Sequence, residues 1–571
     1  MADAQFLSND APALGKPRQR ALPWRGFDGW TAATFLVAVL MAAPVLVVLG
    51  FFAVPKGEVW RHLAATRLGG YVGNSLVLML GVAAGTAFGG IATAWLVTMC
   101  RFPGRRLFEW ALLLPLAVPA YVLAYTYTGL LDFAGPVQTG LRAVFGWRAG
   151  EYWFPEVRSL TGAIAMLTLV LYPYVYILAR AAFLEQSVCV LEVSRTLGRG
   201  PWRSFFSVAL PLARPAIVAG MALALMETLN DFGTVQHFAV DTFTTGIYRA
   251  WFGLQQPAAA AQLGAVLMLF VLALVLIERA SRGRARYHHT SSRYRPLPRY
   301  ELSPGRAALA FIICLMPLLL GFLLPGLVLL AWAFETAPKT LLDARSIGFA
   351  LNSLMLAGAA SVLAVGLALL LAYGLRLRPS KATVLAVRVA SLGYAVPGSV
   401  IAVGLMLSLA WLDSALGAGL RAAFGIAGGL LLSGTVVALL YAYLVRFLAI
   451  SFNAVDAGLA KVTPSLDGAA RTLGLGAAGT VRRVHVPMLR GSLLSAALLV
   501  FVDVMKELPA TMIMRPFNFD TLAVRAYQLA KDELLREAAG PGLAIVLVGI
   551  LPVIALSRVI ARSRPGQAAA T

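Results

Sequence analysis

The chain has 571 residues, of which 59% are hydrophobic and only 13% charged, and its mean hydropathy is +0.78. Soluble domains carry about 25% charged residues, so an ordinary globule is excluded, and runs of roughly 18 or more apolar residues read as membrane-spanning helices. The net charge of +22 raises nucleic acid as a partner, so the placement of that charge has to be read along the chain.

Residues 1–29 are polar and basic, without the apolar core and small-residue cleavage site of a signal peptide, and read as a cytoplasmic tail. A first membrane repeat, 30–278, follows with candidate spans at 30–54, 72–99, 108–131, 160–184, 210–232 and 260–277. The segment 279–306, "RASRGRARYHHTSSRYRPLPRYELSPGR" from Arg279, is basic and Pro-punctuated, and it reads as a cytoplasmic linker. A second repeat, 307–560, has candidate spans at 307–334, 351–374, 384–412, 428–450, 488–508 and 540–560, before a short cytoplasmic tail, 561–571. The expectation is an all-α polytopic membrane protein of about 12 helices.

Basic residues collect in alternate connections: Lys16, Arg18, Arg20 and Arg25, then Arg101, Arg105 and Arg106, then the linker arginines. The intervening loops, such as 132–159 and 335–350, mix Arg with Asp and Glu. This positive-inside pattern puts both termini in the cytoplasm. It makes the lipid bilayer, through its anionic headgroups, the partner of the surplus charge, and nucleic acid is not expected. The cysteines Cys100, Cys189 and Cys314 show neither disulfide nor zinc spacing.

Six spans per repeat bring the chain back to the same side, so the halves are parallel repeats related by an axis along the membrane normal. Fixed-register identities support a duplication. "NSL" at Asn74 recurs at Asn352 and "AVP" at Ala117 recurs at Ala395, both 278 positions later. From Arg195 onward the offset is 276, carrying Gly198 to Gly474, Pro211 to Pro487 and Arg249 to Arg525. Pro119 and Pro397, in the "AVP" repeats, are expected to kink or unwind the third helix of each half and free carbonyls toward a pathway.

Between the fourth and fifth spans of each half lie "EVSRTLGRGPWRSFFSVALP", Glu192 to Pro211, and "GAARTLGLGAAGTVRRVHVP", Gly468 to Pro487. Each suggests a short helix, a turn at Gly198 or Gly474 in the left-handed conformation, and an amphipathic helix lying under the membrane up to the Pro. The spacing resembles the "EAA" motif of permease subunits of bacterial ABC importers. That resemblance implies that these loops dock into a cytoplasmic ATPase through Glu192, Ser194, Arg195, Gly198 and Pro211, and through Asp467, Gly468, Ala470, Arg471, Gly474 and Pro487. The family's Glu is present at Glu192, whereas the second loop has Gly468 in register and Asp467 one position earlier. The chain has no G-x-x-x-x-G-K-[ST] phosphate loop, so it is read as a transport subunit rather than an enzyme. No cofactor is expected to be bound permanently; ATP and Mg are used by the partner, two copies of an ABC ATPase.

The fifth helices carry "METLNDFGT" and "VDVMKELPA", where Glu227 matches Asp503 and Asp231 matches Glu507. Read as continuous helix, each pair of carboxylates stacks on one face. Ionisable groups within a membrane helix face a cavity or a partner. Two readings stay open: an acidic vestibule in which Asp231 and Glu507 meet a metal cation transiently, or pairing with Arg249, Arg525 or Lys506 that fixes helix ends. Tyr172, Tyr174, Tyr176, Tyr441 and Tyr443 are further pathway candidates, although tyrosine in membrane helices also serves packing and interfacial anchoring.

"KELPATMIMRPFNFDTLAVRAYQLA" from Lys506, with "DFGTVQHF" from Asp231 and "TTGIYRAWF" from Thr244, resembles the fused, two-half permeases of ferric iron importers. The resemblance implies a type I ABC importer-like fold, a bacterial inner-membrane location, and a periplasmic solute-binding protein that delivers Fe(III). Permeases for thiamine, sulfate, polyamines and phosphonates share the loops, and an ion-coupled secondary transporter would also carry intramembrane carboxylates. The unequal loops generate a prediction: Glu192→Ala lowers transport in reconstituted vesicles more than Gly468→Ala, and equal losses would refute unequal docking.

Overall fold

The computed structural model describes residues 29–54, 57–185, 200–282, 299–340, 344–425 and 430–562. These are built from helices joined by short loops, with one two-residue parallel pair, Cys100–Arg101 beside Tyr300–Glu301. Ten described helices are long and apolar enough to cross a membrane. An eleventh span is broken into Arg105–Ala117 and Ala120–Phe145, bent by 89°. The last of the twelve expected spans is the helix Ala539–Arg562.

Each half is organised on three mutually packed helices. In the first these are Leu68–Met99, Leu160–Glu185 and Leu210–Asn230; in the second, Ala344–Leu377, Val436–Leu459 and Val486–Met505. Small residues bring the backbones close, as packing between membrane helices requires. A Cβ on Gly220 would lie 2.8 Å from the backbone of Val175, and one on Gly90 would lie 2.6 Å from the Val175 side chain.

The first helix of each half is exchanged. Gly29–Gly50 packs on Lys381–Ala390 and Gly398–Phe424 of the second half, with Trp30 edge-on to Tyr373 at 5.2 Å and Gly404 under the Pro44 carbonyl. Pro304–Leu318 and Leu324–Thr340 return the contact, with Phe311 edge-on to Phe108 at 5.3 Å and the Tyr127 hydroxyl donating to the Leu320 carbonyl at 2.7 Å. The end of the basic linker is fastened as well: Tyr300–Glu301 pairs with Cys100–Arg101, and Arg101 bridges Glu301 at 2.7 Å.

The structure revises several helix boundaries. The third span unwinds in both halves, as the prolines predict: a 3-10 turn (Leu114–Ala117 or Leu392–Ala395) runs into extended Val118-Pro119 or Val396-Pro397, and the helix restarts behind the Pro. The fourth span of the second half starts at Val436 rather than 428. The expected amphipathic helix under the membrane is not a separate element. Trp202–Asn230 and Ala477–Met505 each run as one apolar helix. Both widen to a π-turn, Phe205–Ala209 and Val481–His485, just ahead of Pro211 and Pro487. A proline removes one i→i−4 donor. The residue before it bonds five back instead, Leu210 to Phe205 and Val486 to Val481, and the helix passes the proline without breaking.

The exchanged packing is testable at Gly404, where an added Cβ would sit 2.2 Å from the Pro44 carbonyl oxygen. Overpacking of this kind costs about 1–3 kcal/mol. Gly404→Ala therefore lowers the detergent-solubilised melting temperature, whereas Gly366→Ala, inside its helix and meeting nothing within 4 Å, does not lower it.

Candidate functional site

A cavity of about 100 Å³ lies where the two halves meet. It is walled by the unwound Val118-Pro119 of the first half and by the ends of both fifth helices. Glu227, Asp231, Asp503 and Glu507 all line it, so the structure gathers the four carboxylates that the sequence singled out. Of the five tyrosines, Tyr174 reaches the cavity. Tyr172 and Tyr176 instead donate to the Leu112 and Glu109 carbonyls, Tyr443 bonds Thr511, and Tyr441 donates to the Leu40 carbonyl. Pro397 is outside the lining, but the next residue, Gly398, donates its N–H to Asn230 Oδ1 at 2.7 Å.

The carboxylates are not stacked on a helix face as expected. The fifth helices end at Asn230 and Met505, and Asp231 and Glu507 stand in the breaks that follow. Each caps the next short helix. Asp231 accepts from the N–H groups of Thr234 and Val235 at 3.1 Å and from the Thr234 hydroxyl at 3.0 Å. Glu507 accepts from Ala510 and Thr511 N–H at 2.9 and 3.0 Å and from the Thr511 hydroxyl at 2.6 Å. The reason is local: a buried chain break frees donors, and an acidic side chain three residues ahead satisfies them.

The partners proposed from sequence are also replaced. Arg249 bonds Asp241 at 2.7 Å and the Tyr71 hydroxyl at 3.2 Å, and Arg525 lies 5.7 Å from the Phe349 ring centre. Lys506 pairs with Asp503 at 2.8 Å. The partner of Glu507 is Arg446, a buried residue that sequence reasoning passed over. Its Nη1 lies 2.8 Å from Asn230 Oδ1 and 3.2 Å from Glu507 Oε1, and its Nη2 lies 3.8 Å from Glu227 Oε2. The signal was present: "AYLVRFLAI" places one arginine in the middle of an apolar helix, where a charge is expensive without a partner.

Of the coupling-loop residues, Glu192, Ser194, Arg195 and Gly198 lie outside the described residues, and Pro211 sits in the first turn of its helix. The second loop is described throughout. Pro464–Thr472 is a short helix whose end is closed by Gly474 at φ +80°. Gly474 N–H bonds the Arg471 carbonyl and Leu475 N–H bonds the Ala470 carbonyl, the doubled closure typical of a left-handed glycine C-terminus. Ala470 is buried, while Gly468 faces open space and Leu473 is 81% exposed. Asp467 turns inward, receiving Arg376 Nε and His485 Nε2, each at 2.7 Å. Arg376 also donates to the Leu459 and Val462 carbonyls, so one cluster ties the loop to three helices of its half.

With this geometry in hand, comparison with known proteins fixes the class. Residues 85–286 match the binding-protein-dependent transport system inner membrane component family. The molybdenum transport system permease protein ModB of Escherichia coli K12 is 32% identical over 208 residues, which are 87% of that protein and 34% of this chain. This chain belongs to the binding-protein-dependent transport system inner membrane components, and it is a multi-pass inner-membrane permease of the ABC type. The Fe(3+)-transport system permease protein FbpB 2 of Haemophilus influenzae is 27% identical over 500 residues, 86% of this chain and 90% of that protein. A chain of a bacterial alginate ABC transporter, solved with its alginate pentasaccharide-bound periplasmic protein, aligns over 45% of this chain and 95% of its own, with 15% identity and a TM-score of 0.35.

The two caps differ in what they leave behind. Glu507→Ala removes a cap together with the nearer carboxylate partner of a buried guanidinium, and breaking a buried pair costs about 3–5 kcal/mol, whereas Asp231→Ala removes a cap and costs about 0.5–2 kcal/mol. Thermal unfolding of the two purified variants should show the larger loss at Glu507, and equal losses would contradict the pairing with Arg446.

Proposed function

We propose that this chain is the permease of an ATP-driven importer of ferric iron. The observation that carries the cargo is the likeness to an Fe(3+) permease across 86% of the chain, both halves included. The cavity chemistry supports it. Carboxylates and phenols are hard oxygen donors suited to a trivalent cation, and an oxyanion such as sulfate would meet Glu227, Asp231, Asp503 and Glu507 at close range.

In this reading a periplasmic binding protein releases Fe(III) to the outer loops, and the cation passes inward between the halves. Two copies of a cytoplasmic ATPase, which carry the ATP and Mg, grip one loop each, and the permease itself hydrolyses nothing. Both termini and the 279–306 linker lie on the ATPase side, in accord with their arginines. The second loop is suited to transmit force. Because Asp467 is held by Arg376 and His485, a push on Pro464–Thr472 moves Ala344–Leu377 and the helix behind Pro487 as one body.

The test is ATP hydrolysis by the reconstituted permease–ATPase complex challenged in turn with binding proteins carrying Fe(III), thiamine or sulfate. Severalfold stimulation by the Fe(III)-loaded protein alone is expected. Stimulation by another loaded protein reassigns the cargo, and transport by the permease without any ATPase would overturn the ABC reading in favour of a secondary transporter.

A further inference from the structure

We propose that Arg446 is a built-in counter-cation: its guanidinium occupies the carboxylate cavity while no cargo is present, and a trivalent cation entering the cavity replaces it. This deepens the ferric iron reading and rests on it for the identity of the cargo.

Three observations converge on the guanidinium. First, Arg446 belongs to the second half yet is shared by both, touching Glu507 of its own half and Asn230 and Glu227 of the other. Second, its hold is incomplete: the bond to Glu507 is 3.2 Å, the approach to Glu227 is 3.8 Å, and its buried Nε has no hydrogen-bond partner. Glu227 remains one-quarter exposed, so the weaker of the two contacts faces the open part of the cavity. Third, the Tyr121 hydroxyl is buried without a partner in the same cavity, within electrostatic range of Asp231 and Glu507. A buried polar group left unsatisfied is costly and marks a place where a ligand or water belongs.

The charge balance gives the exchange its direction. Four carboxylates line the cavity against Arg446 and Lys506, and Lys506 is committed to Asp503 at 2.8 Å. Formally the lining carries two negative charges with the guanidinium in place and three once it withdraws, which matches a trivalent ion. Among the described residues, no three His, Cys, Asp or Glu side chains are gathered to hold a metal as the chain stands, and the Arg446 guanidinium lies in contact with both Glu227 and Glu507. The cavity of about 100 Å³ has room for a partly hydrated cation, at roughly 30 Å³ per water. The exchange also has a mechanical consequence. Withdrawal of Arg446 cuts its contacts with Asn230 and Glu227, and so loosens the seam between the halves at the cavity when cargo arrives.

Terbium(III), a hard trivalent ion whose luminescence is sensitised by nearby tyrosine, tests this on the purified full-length permease. Arg446→Gln is expected to bind terbium at least tenfold more tightly than the unsubstituted chain, and the gain is expected to vanish in Arg446→Gln/Glu507→Gln. Asn230→Ala removes one acceptor of the guanidinium without stranding a charge, and it should tighten binding two- to threefold even if Arg446→Gln folds poorly. Unchanged or weaker binding in Asn230→Ala, or a gain that survives loss of Glu507, overturns the proposal. The readout needs neither ATPase nor binding protein. Terbium behaving as expected while Fe(III)-loaded binding protein fails to stimulate ATP hydrolysis would therefore remove the iron assignment and leave the exchange standing.

Discussion

Hydrocarbon offers a polypeptide no alternative hydrogen-bond partner, so a helix broken inside a membrane bundle must have its freed backbone groups answered by the protein itself. Three such breaks wall one cavity, at Val118-Pro119 and behind Asn230 and Met505, and a fourth, at Val396-Pro397, lies next to it. The breaks behind Asn230 and Met505 fix the character of the site. Asp231 and Glu507 are drawn into them to cap the short helices Gly233–His237 and Pro509–Met514, and this places two carboxylates at the seam between the halves. The fourth break is tied in by Asn230, which accepts from the Gly398 N–H behind Pro397. Backbone satisfaction and the acidity of the cavity are thus one requirement met by the same side chains.

That requirement explains why Arg446 exists. Glu507 is buried, and its oxygens accept from Ala510 and Thr511 while one of them also meets the Arg446 guanidinium. An uncompensated buried charge is far costlier than a paired one. Arg446 supplies the compensation from the neighbouring helix, and because Asn230 and Glu227 lie across the seam, the same guanidinium links the repeats. The exchanged first helices strengthen the link at the periphery, where Gly404 and Gly374 bring Gly29–Gly50 against the second half.

The architecture was legible in the sequence because bilayer thickness and helix rise leave few alternatives: the spans, the parallel repeats and the unwinding at both "AVP" prolines all appear. The site was legible in part. Glu227, Asp231, Asp503 and Glu507 stood out as acids in apolar helices, and they do share a cavity. Their local conformation was not readable, because helical spacing assumes a continuous helix, and nothing in "NDFG" or "KELP" states how strongly an acidic cap competes with one more helical turn. Arg446 escaped attention for a related reason: it has no counterpart in "LTLVLYPYVYIL" of the first half, so a search for repeated features passed over it. The π-turns at Phe205–Ala209 and Val481–His485 were hidden as well, since a proline announces a missing donor but not whether the helix stops or widens.

The two halves differ at their seam in a way that a symmetric homodimer could not. In a symmetric dimer a residue at the seam appears twice, so an arginine placed to neutralise one carboxylate would face its own copy across the axis. A fused chain escapes this: Arg446 and Lys506 both come from the second half, and the corresponding positions of the first carry no cation, Asn230 standing where Lys506 stands in the other. The loops ahead of the fifth helices differ as well. The second commits its acidic residue, Asp467, to an internal bond with Arg376 and His485, while the first keeps Glu192 in the family's register. Among the described residues the second half thus supplies both cations of the cavity as well as the Asp467 cluster.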